Sequence, residues 1–209
     1  QGAGGLRLGQ CGPAGQVLGA DRAVAGRVAV GDVRAGGAVA GPTVGDVGSG
    51  GPGVGVGQVV TVADDMVDAR WAVAAAEWDS RAYAAVALHP MHASDLTDET
   101  ATELEEMARH PRVVAVGETG LDYYWTTRSD DCAPPDVQAA AFRWHIDLAK
   151  RVGKPLMIHN READRDLLDI LAAEGAPESV IMHCFSGDRN VAQECVDAGY
   201  TSVSYTHLR

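Results

Sequence analysis

Between residues 58 and 204, short apolar runs alternate with longer stretches in which apolar residues recur at helical spacing. Uninterrupted apolar runs of this length are typical of buried strands. They predict strands at Val59–Val62, Tyr83–Leu88, Val113–Val116, Leu156–Ile158 and Val180–Met182, and a weaker strand near Tyr200–Ser204.

The stretches between these strands carry apolar side chains on one helical face, as helices that cover a sheet do. The predicted helices are Asp65–Trp78, Asp98–Arg109, a helix from Pro135 to the residue before Gly153, and Arg161–Ala173 with Asn160 as its N-cap. Regular alternation of strand and helix predicts parallel strands with right-handed crossovers. The fold class is therefore α/β, and the order is that of a (β/α)8 barrel.

The first 57 residues have a different composition. They hold 19 of the 25 glycines, no aromatic residue and no histidine, and their formal charge is +1 against −13 for the rest of the chain. Because glycine raises the entropy lost on ordering and there are no large side chains to bury, we expect residues 1–57 to be largely disordered. This segment is either not authentic to the domain that follows, residues 58–209, or a genuine flexible extension.

Three of the predicted strands lead directly into a side chain that can ligate a metal: Glu118, His159 and His183. Carboxyl ends of parallel strands meet at one edge of a barrel, so a carboxylate and two imidazoles delivered there predict a divalent cation site. The alternatives are a solvated loop acid for Glu118 and a buried core residue for each histidine.

Four short segments carry a resemblance to a known family: Ala87–Pro90, Gly117–Tyr123, Lys154–Arg161 and His183–Asp188. Their order and separation resemble the TatD-type metal-dependent deoxyribonucleases, which are amidohydrolase-like TIM barrels, over roughly residues 58–200. The resemblance implies a metal-dependent hydrolase that cleaves phosphodiester bonds in DNA as an exonuclease. It also implies two divalent ions per complete site, drawn from Mg, Mn and Zn.

Within that resemblance, Glu118 is the catalytic residue that bridges the two ions, and His159 and His183 ligate the second ion. Further candidates come from their positions: His89, Arg161 and Ser186 as substrate contacts, and Asp122 as a residue that orients a ligand. A packing role for His89, a surface helix position for Arg161 and a loop cap for Asp122 are the alternatives. We expect His92, His110 and His145 at the surface or the core edge.

The chain departs from the family pattern at both ends. It has no His-x-His pair after a first strand, and the late aspartate ligand of the family would lie beyond Arg209. Residues 58–209 also supply 152 residues, against roughly 250 in a complete barrel. We therefore expect an incomplete barrel with a truncated C-terminus. Two alternative functions stay open: hydrolysis of another ester or amide, such as an aminoacyl ester, and an inactive incomplete fragment.

The net charge and the cysteines indicate which binding partners and which cellular compartment to expect. A net charge of −12 opposes long-range attraction of DNA, which favours an enzyme that grips single-stranded ends over one that coats a duplex. The four cysteines lack CxxC spacing, and no apolar run reaches transmembrane length. These features predict a cytoplasmic protein with reduced thiols, no membrane association and no obligate protein partner.

Overall fold

The computed structural model describes residues 58–203 and, before them, the backbone of two short strands. All strands belong to one sheet in chain order. They are β1 (Leu18–Gly19), β2 (Val28–Val30), β3 (Gln58–Val62), β4 (Ala82–Val86), β5 (Val113–Asp122), β6 (Leu156–Arg161), β7 (Val180–Met182) and β8 (Thr201–Ser202). Within these residues β1 and β2 are antiparallel, and every other neighbouring pair is parallel.

A helix follows each strand from β3 to β7. The helices are α1 (Met66–Trp78), α2 (Asp98–Arg109), α3 (Pro135–Val152), α4 (Asp164–Glu174) and α5 (Arg189–Asp197), with a short 3₁₀ helix at Pro90–Asp95 before α2. Six parallel strands in sequential order, β3 to β8, with five intervening helices confirm the predicted α/β fold and its (β/α) barrel order. None of the described helices has the length and apolar character needed to cross a membrane.

Local signals set the bounds of the first three helices. The side chain of Asp65 accepts a hydrogen bond from the Asp68 N–H at 2.8 Å and caps α1. Pro135 opens α3, where its missing N–H is not needed, and Gly153 ends that helix with a φ of 64°. The predicted bounds of α1, α2 and α3 are confirmed to within one residue.

The predicted start of α4 is wrong. Asn160 and Arg161 belong to β6, and the helix begins at Asp164. The reason is that β5 continues to Asp122, well beyond the predicted end at Val116, and pairs with β6 along this extra length. A long partner strand thus holds polar residues in extended conformation where the local pattern favours a helix start.

The sheet contributes to two parts of the core, and a third, small cluster consists of Ala93, Ala133 and Ala141. The larger part packs strands against helices and includes fully buried Leu104, Phe142, Ile146 and Leu167. The smaller part consists of strand residues alone, Val60, Ala85, Ala115 and Met157. The interior of a barrel is filled by side chains that the strands direct toward its axis, as these four residues are.

The prediction that His145 lies at the surface or the core edge is wrong, because this side chain is completely buried. Its Nε2 accepts a hydrogen bond from the Leu88 N–H at 3.2 Å, and its Nδ1 lies 2.7 Å from the carbonyl oxygen of Ala141. A neutral imidazole ring with its proton on Nδ1 makes both of these hydrogen bonds. Burial lowers the pKa of His145 to about 4.

This depressed pKa predicts acid sensitivity. An unfolded histidine takes up a proton near pH 6.5 and the buried one near pH 4, so the contribution of His145 to stability is complete above pH 6.5 and is lost as the pH falls toward 4. We expect the free energy of unfolding of the wild type to fall by about 3 kcal/mol more than that of His145→Gln over this interval. Urea unfolding of both proteins at pH 7, 5.5 and 4 measures the difference. His92→Gln, at a partly exposed histidine, should follow the wild type. Parallel profiles for wild type and His145→Gln would contradict the prediction.

Most of the Gly-rich segment, predicted as disordered, lies outside the described residues, as do residues 204–209. The described part of that segment, β1 and β2, joins the sheet through parallel pairing of Val28 with Gln58 and Val30 with Val60. The sheet therefore starts before residue 58, the predicted start of the barrel domain.

Candidate metal centre

Glu118 lies at the centre of a cluster of histidines on the carboxyl side of the sheet. It sits inside β5, not at its end as predicted, and only 8% of its surface is exposed. Its Oε1 lies 3.0 Å from Nδ1 of His159, and its Oε2 lies 2.7 Å from Nδ1 of His183. The three side chains predicted as metal ligands are thus brought together, with one carboxylate oxygen facing each imidazole.

His159 is held on both sides by carboxylates. While Nδ1 faces Glu118, its Nε2 lies 2.9 Å from Oδ2 of Asp122, a side chain that is 1% exposed. Asp122 also accepts a hydrogen bond from the Trp125 N–H through Oδ1 at 3.0 Å. Asp122 therefore makes both contacts that the sequence left as alternatives, an orienting bond to His159 and a cap for the loop that follows β5.

His89 joins this cluster. It follows β4 by three residues, and its ring packs edge-on against that of His159 with centroids 4.3 Å apart. One ligand atom from each of His89, Glu118 and His159 lies within 4.8 Å of the others. The sequence interpretation assigned His89 a substrate contact and missed this grouping, although the signal was available: His89, like His159 and His183, comes directly after a buried apolar run.

The charges of the cluster are strongly coupled. Burial alone would lower the pKa of His159, but the hydrogen bonds to Asp122 and Glu118 raise that pKa to about 9. Burial alone would raise the pKa of Glu118, and its two imidazole neighbours hold it well below the ordinary value. Burial would also raise the pKa of Asp122, but its hydrogen bond to His159 and the charge of that ring lower it. Burial, aided by the nearby His159, lowers the pKa of His89 to about 3. At neutral pH Glu118 and Asp122 are therefore carboxylates, His159 is an imidazolium and His89 is a neutral imidazole.

The donor set fits a divalent cation. Both ring nitrogens of His183 are buried and form no hydrogen bond among the described residues, and Nδ1 lies 2.7 Å from Oε2 of Glu118. Buried polar atoms in folded proteins are nearly always satisfied, and an unsatisfied imidazole nitrogen is a good ligand for Zn, Mn and related ions. Carboxylate oxygen and imidazole nitrogen together form the mixed set that such ions accept.

Two glycines allow the strands that carry the cluster to approach closely. A Cβ on Gly120 would lie 2.0 Å from the carbonyl oxygen of His159, and one on Gly117 would lie 2.4 Å from Cβ of Met157. Gly120 also has a φ of 145°, which L side chains rarely adopt. This close approach of the two strands fixes the position of Glu118 between the two glycines.

Gln138 is a buried residue beside the cluster that the sequence interpretation missed. Its side chain, fully buried on α3, accepts a hydrogen bond from the Asp122 N–H at 2.8 Å and donates to the carbonyl oxygen of Ala133 at 2.7 Å. These bonds join the last residue of β5 to the end of the loop before α3. A glutamine in an amphipathic helix gives no sequence signal for this role, because its partners lie in other elements.

The remaining predicted site residues differ in position. Arg161 ends β6 and stacks its guanidinium over the ring of Tyr124, with 3.7 Å between Cζ and the ring centroid. In register it pairs with Asp122, so it lies beside the cluster. Ser186 is an exposed residue of the loop between β7 and α5. The structure therefore brings Arg161 to the site and leaves Ser186 exposed on the loop between β7 and α5.

Fold and site together place the chain among (β/α) barrel proteins that gather metal-ligating side chains at the carboxyl side of the sheet. The family model described as TatD related DNase matches residues 53–208, so the chain belongs to this family. The match extends a few residues beyond the predicted range at both ends.

Known relatives agree with this family. An uncharacterized metal-dependent hydrolase TatD from Mycobacterium tuberculosis is 67% identical over 146 residues, which is 70% of this chain and 55% of that protein. A 3'-5' ssDNA/RNA exonuclease TatD from Erwinia billingiae is 35% identical over 54% of this chain and 41% of its own length. The crystal structure of YJJV, a TatD homologue from Escherichia coli k12, matches with a TM-score of 0.63 and 30% identity, covering 71% of this chain and 56% of that one. The chain spans about half the length of the curated relatives it matches.

Proposed function

We propose that this protein is a metal-dependent hydrolase that cleaves phosphodiester bonds at the ends of single-stranded DNA. The observation that carries the proposal is the buried carboxylate of Glu118, whose two oxygens face the imidazoles of His159 and His183. The name of the Erwinia billingiae relative, a 3'-5' ssDNA/RNA exonuclease, supports a nucleic acid as the substrate.

Glu118, His159 and His183 would hold the divalent ions, and His89 lies close enough to take part. We infer two ions per complete site. When bound, such ions supply Lewis-acid stabilisation of the phosphate and activation of water. Every donor named here comes from the carboxyl side of the sheet, where barrel enzymes bind their substrates.

The protein side chains hold this arrangement in place. Asp122 fixes the ring orientation of His159 through Nε2, which leaves Nδ1 directed at Glu118. Gln138 fixes the backbone of Asp122 in turn. Arg161, two residues beyond His159 on the same face of β6, offers guanidinium N–H donors that match the oxygens of a phosphate.

The test is hydrolysis of defined substrates by the purified chain in the presence of Mn²⁺, Mg²⁺ or Zn²⁺. We expect release of nucleotides from a labelled single strand, faster than from a blunt duplex of the same sequence, and no release in EDTA. Strands labelled at the 5' or the 3' end report the direction of cleavage. A protein that leaves both DNA substrates intact but hydrolyses an aminoacyl ester would contradict the proposal and favour another ester as the substrate. Inactivity on all substrates would point to an inactive fragment.

A further inference from the structure

Two arginines share one aromatic ring beside the metal centre. The guanidinium carbon of Arg161 lies 3.7 Å from the ring centroid of Tyr124, and that of Arg128 lies 3.9 Å from the same centroid. Arg128 is also fixed by a hydrogen bond of 2.7 Å from Nη1 to the carbonyl oxygen of Tyr124. Stacking on an aromatic face orders a guanidinium in advance while leaving most of its N–H donors free.

Neither arginine has an acidic partner in the part of the chain that the structure describes. Among the described residues six arginines form ion pairs with carboxylates, whereas Arg128 and Arg161, like Arg112 and Arg189, form none. The paired arginines are Arg70, Arg81, Arg109, Arg143, Arg151 and Arg165. Two neighbouring guanidinium groups that form no ion pair present positive charge that an anion would neutralise.

The position of the pair ties it to the metal centre. Arg161 pairs in register with Asp122, and this pairing lies two residues along each strand from that of Gly120 with His159. Residues two apart on a strand share a face and are separated by roughly 7 Å. The loop that carries Tyr124 and Arg128 is held to the same carboxylate, because Asp122 accepts the Trp125 N–H. The arginine pair therefore lies next to the cluster, two strand positions from His159.

We propose that Arg128 and Arg161 bind the phosphate adjacent to the one that is hydrolysed, with Tyr124 as the positioning residue that holds both guanidinium groups. This inference rests on the proposed function and defines its substrate class more narrowly. The substrate is an oligonucleotide with at least two phosphates, because a single phosphodiester cannot occupy the metal centre and the arginine pair together. A planar guanidinium matches two phosphate oxygens at once, which a lysine cannot do.

Binding without catalysis tests the arginine pair. Titration calorimetry with Mn²⁺ present compares hydrolysis-resistant phosphorothioate analogues of a thymidine dinucleotide, with one phosphate, and of a 5'-phosphorylated trinucleotide, with three. We expect the wild type to bind the trinucleotide at least about tenfold more tightly, and Arg128→Gln and Arg161→Gln each to remove most of that preference. The salt dependence of trinucleotide binding should weaken by about one phosphate contact in each variant. Tyr124→Leu should weaken trinucleotide binding while leaving that of the dinucleotide nearly unchanged.

Arg143→Gln is the matched control, because it removes the same charge at an exposed position on α3. It should bind like the wild type, and Arg161→Lys, a milder change, should still lose affinity for the trinucleotide. Equal affinity for the two ligands, no binding of either, or trinucleotide binding unchanged in both glutamine variants would overturn the inference. Arginine-dependent binding without DNA hydrolysis in Mn²⁺ would support the phosphate site while the proposed function fails. Hydrolysis of DNA together with binding that does not depend on the arginines would support the proposed function and overturn the phosphate site.

Discussion

Glu118→Gln is expected to lower the affinity of the protein for Mn²⁺ or Zn²⁺ by at least about 100-fold and to abolish any metal-dependent hydrolysis. Loss of a hydrogen-bonding partner of a metal ligand alone costs 10- to 100-fold, and Glu118 lies between His159 and His183 with an oxygen toward each. The substitution keeps the shape of the side chain but removes the charge that a cation needs. It also replaces one carboxylate oxygen by an amide nitrogen, which is a poor ligand.

Calorimetric titration of the metal into the purified chain measures this loss. Glu178→Gln is the control, because Glu178 is an exposed residue that precedes β7 at the opposite end of that strand from His183. It should bind metal like the wild type. A Glu118→Gln protein with unchanged metal affinity would show that the buried carboxylate serves only to pair with the histidines.

Gly120→Ala is expected to lower the free energy of unfolding by about 3–5 kcal/mol, or to prevent folding. Two costs add: a Cβ would lie 2.0 Å from the carbonyl oxygen of His159, and the φ of 145° belongs to a region that is essentially restricted to glycine. The clash can be relieved only if β5 and β6 separate where Gly120 pairs with His159. Metal affinity should fall along with stability, because the same movement displaces His159 from Glu118.

Urea unfolding followed by circular dichroism measures the change, and Gly153→Ala is the matched control. Gly153 also has a positive φ, 64°, but a Cβ there would meet no atom within 4 Å, so its cost should be about 1 kcal/mol. Similar losses for the two variants would contradict the view that close strand approach dominates at Gly120.

The positions of most elements were predictable from the chain alone. Apolar runs gave five strands near their observed places, and caps such as Asp65 and Gly153 gave helix bounds, since these signals act within a few residues. Lengths were harder to predict. β5 and β6 extend through polar residues because each strand supplies the hydrogen bonds of the other, and this pairing is not encoded within either segment.

The sequence by itself determined the order of strands and helices, the family, and the residue types that meet at the carboxyl side of the sheet. Periodicity and a side chain that follows a buried strand are local properties, and the chain displays them directly. Only the tertiary structure decided which partner each polar group takes: His89 against His159, Asp122 and Gln138 in one network, His145 in the core, and Arg161 on Tyr124. These contacts join residues from different elements, so they depend on the register and separation of β5 and β6 and on how α3 packs against them.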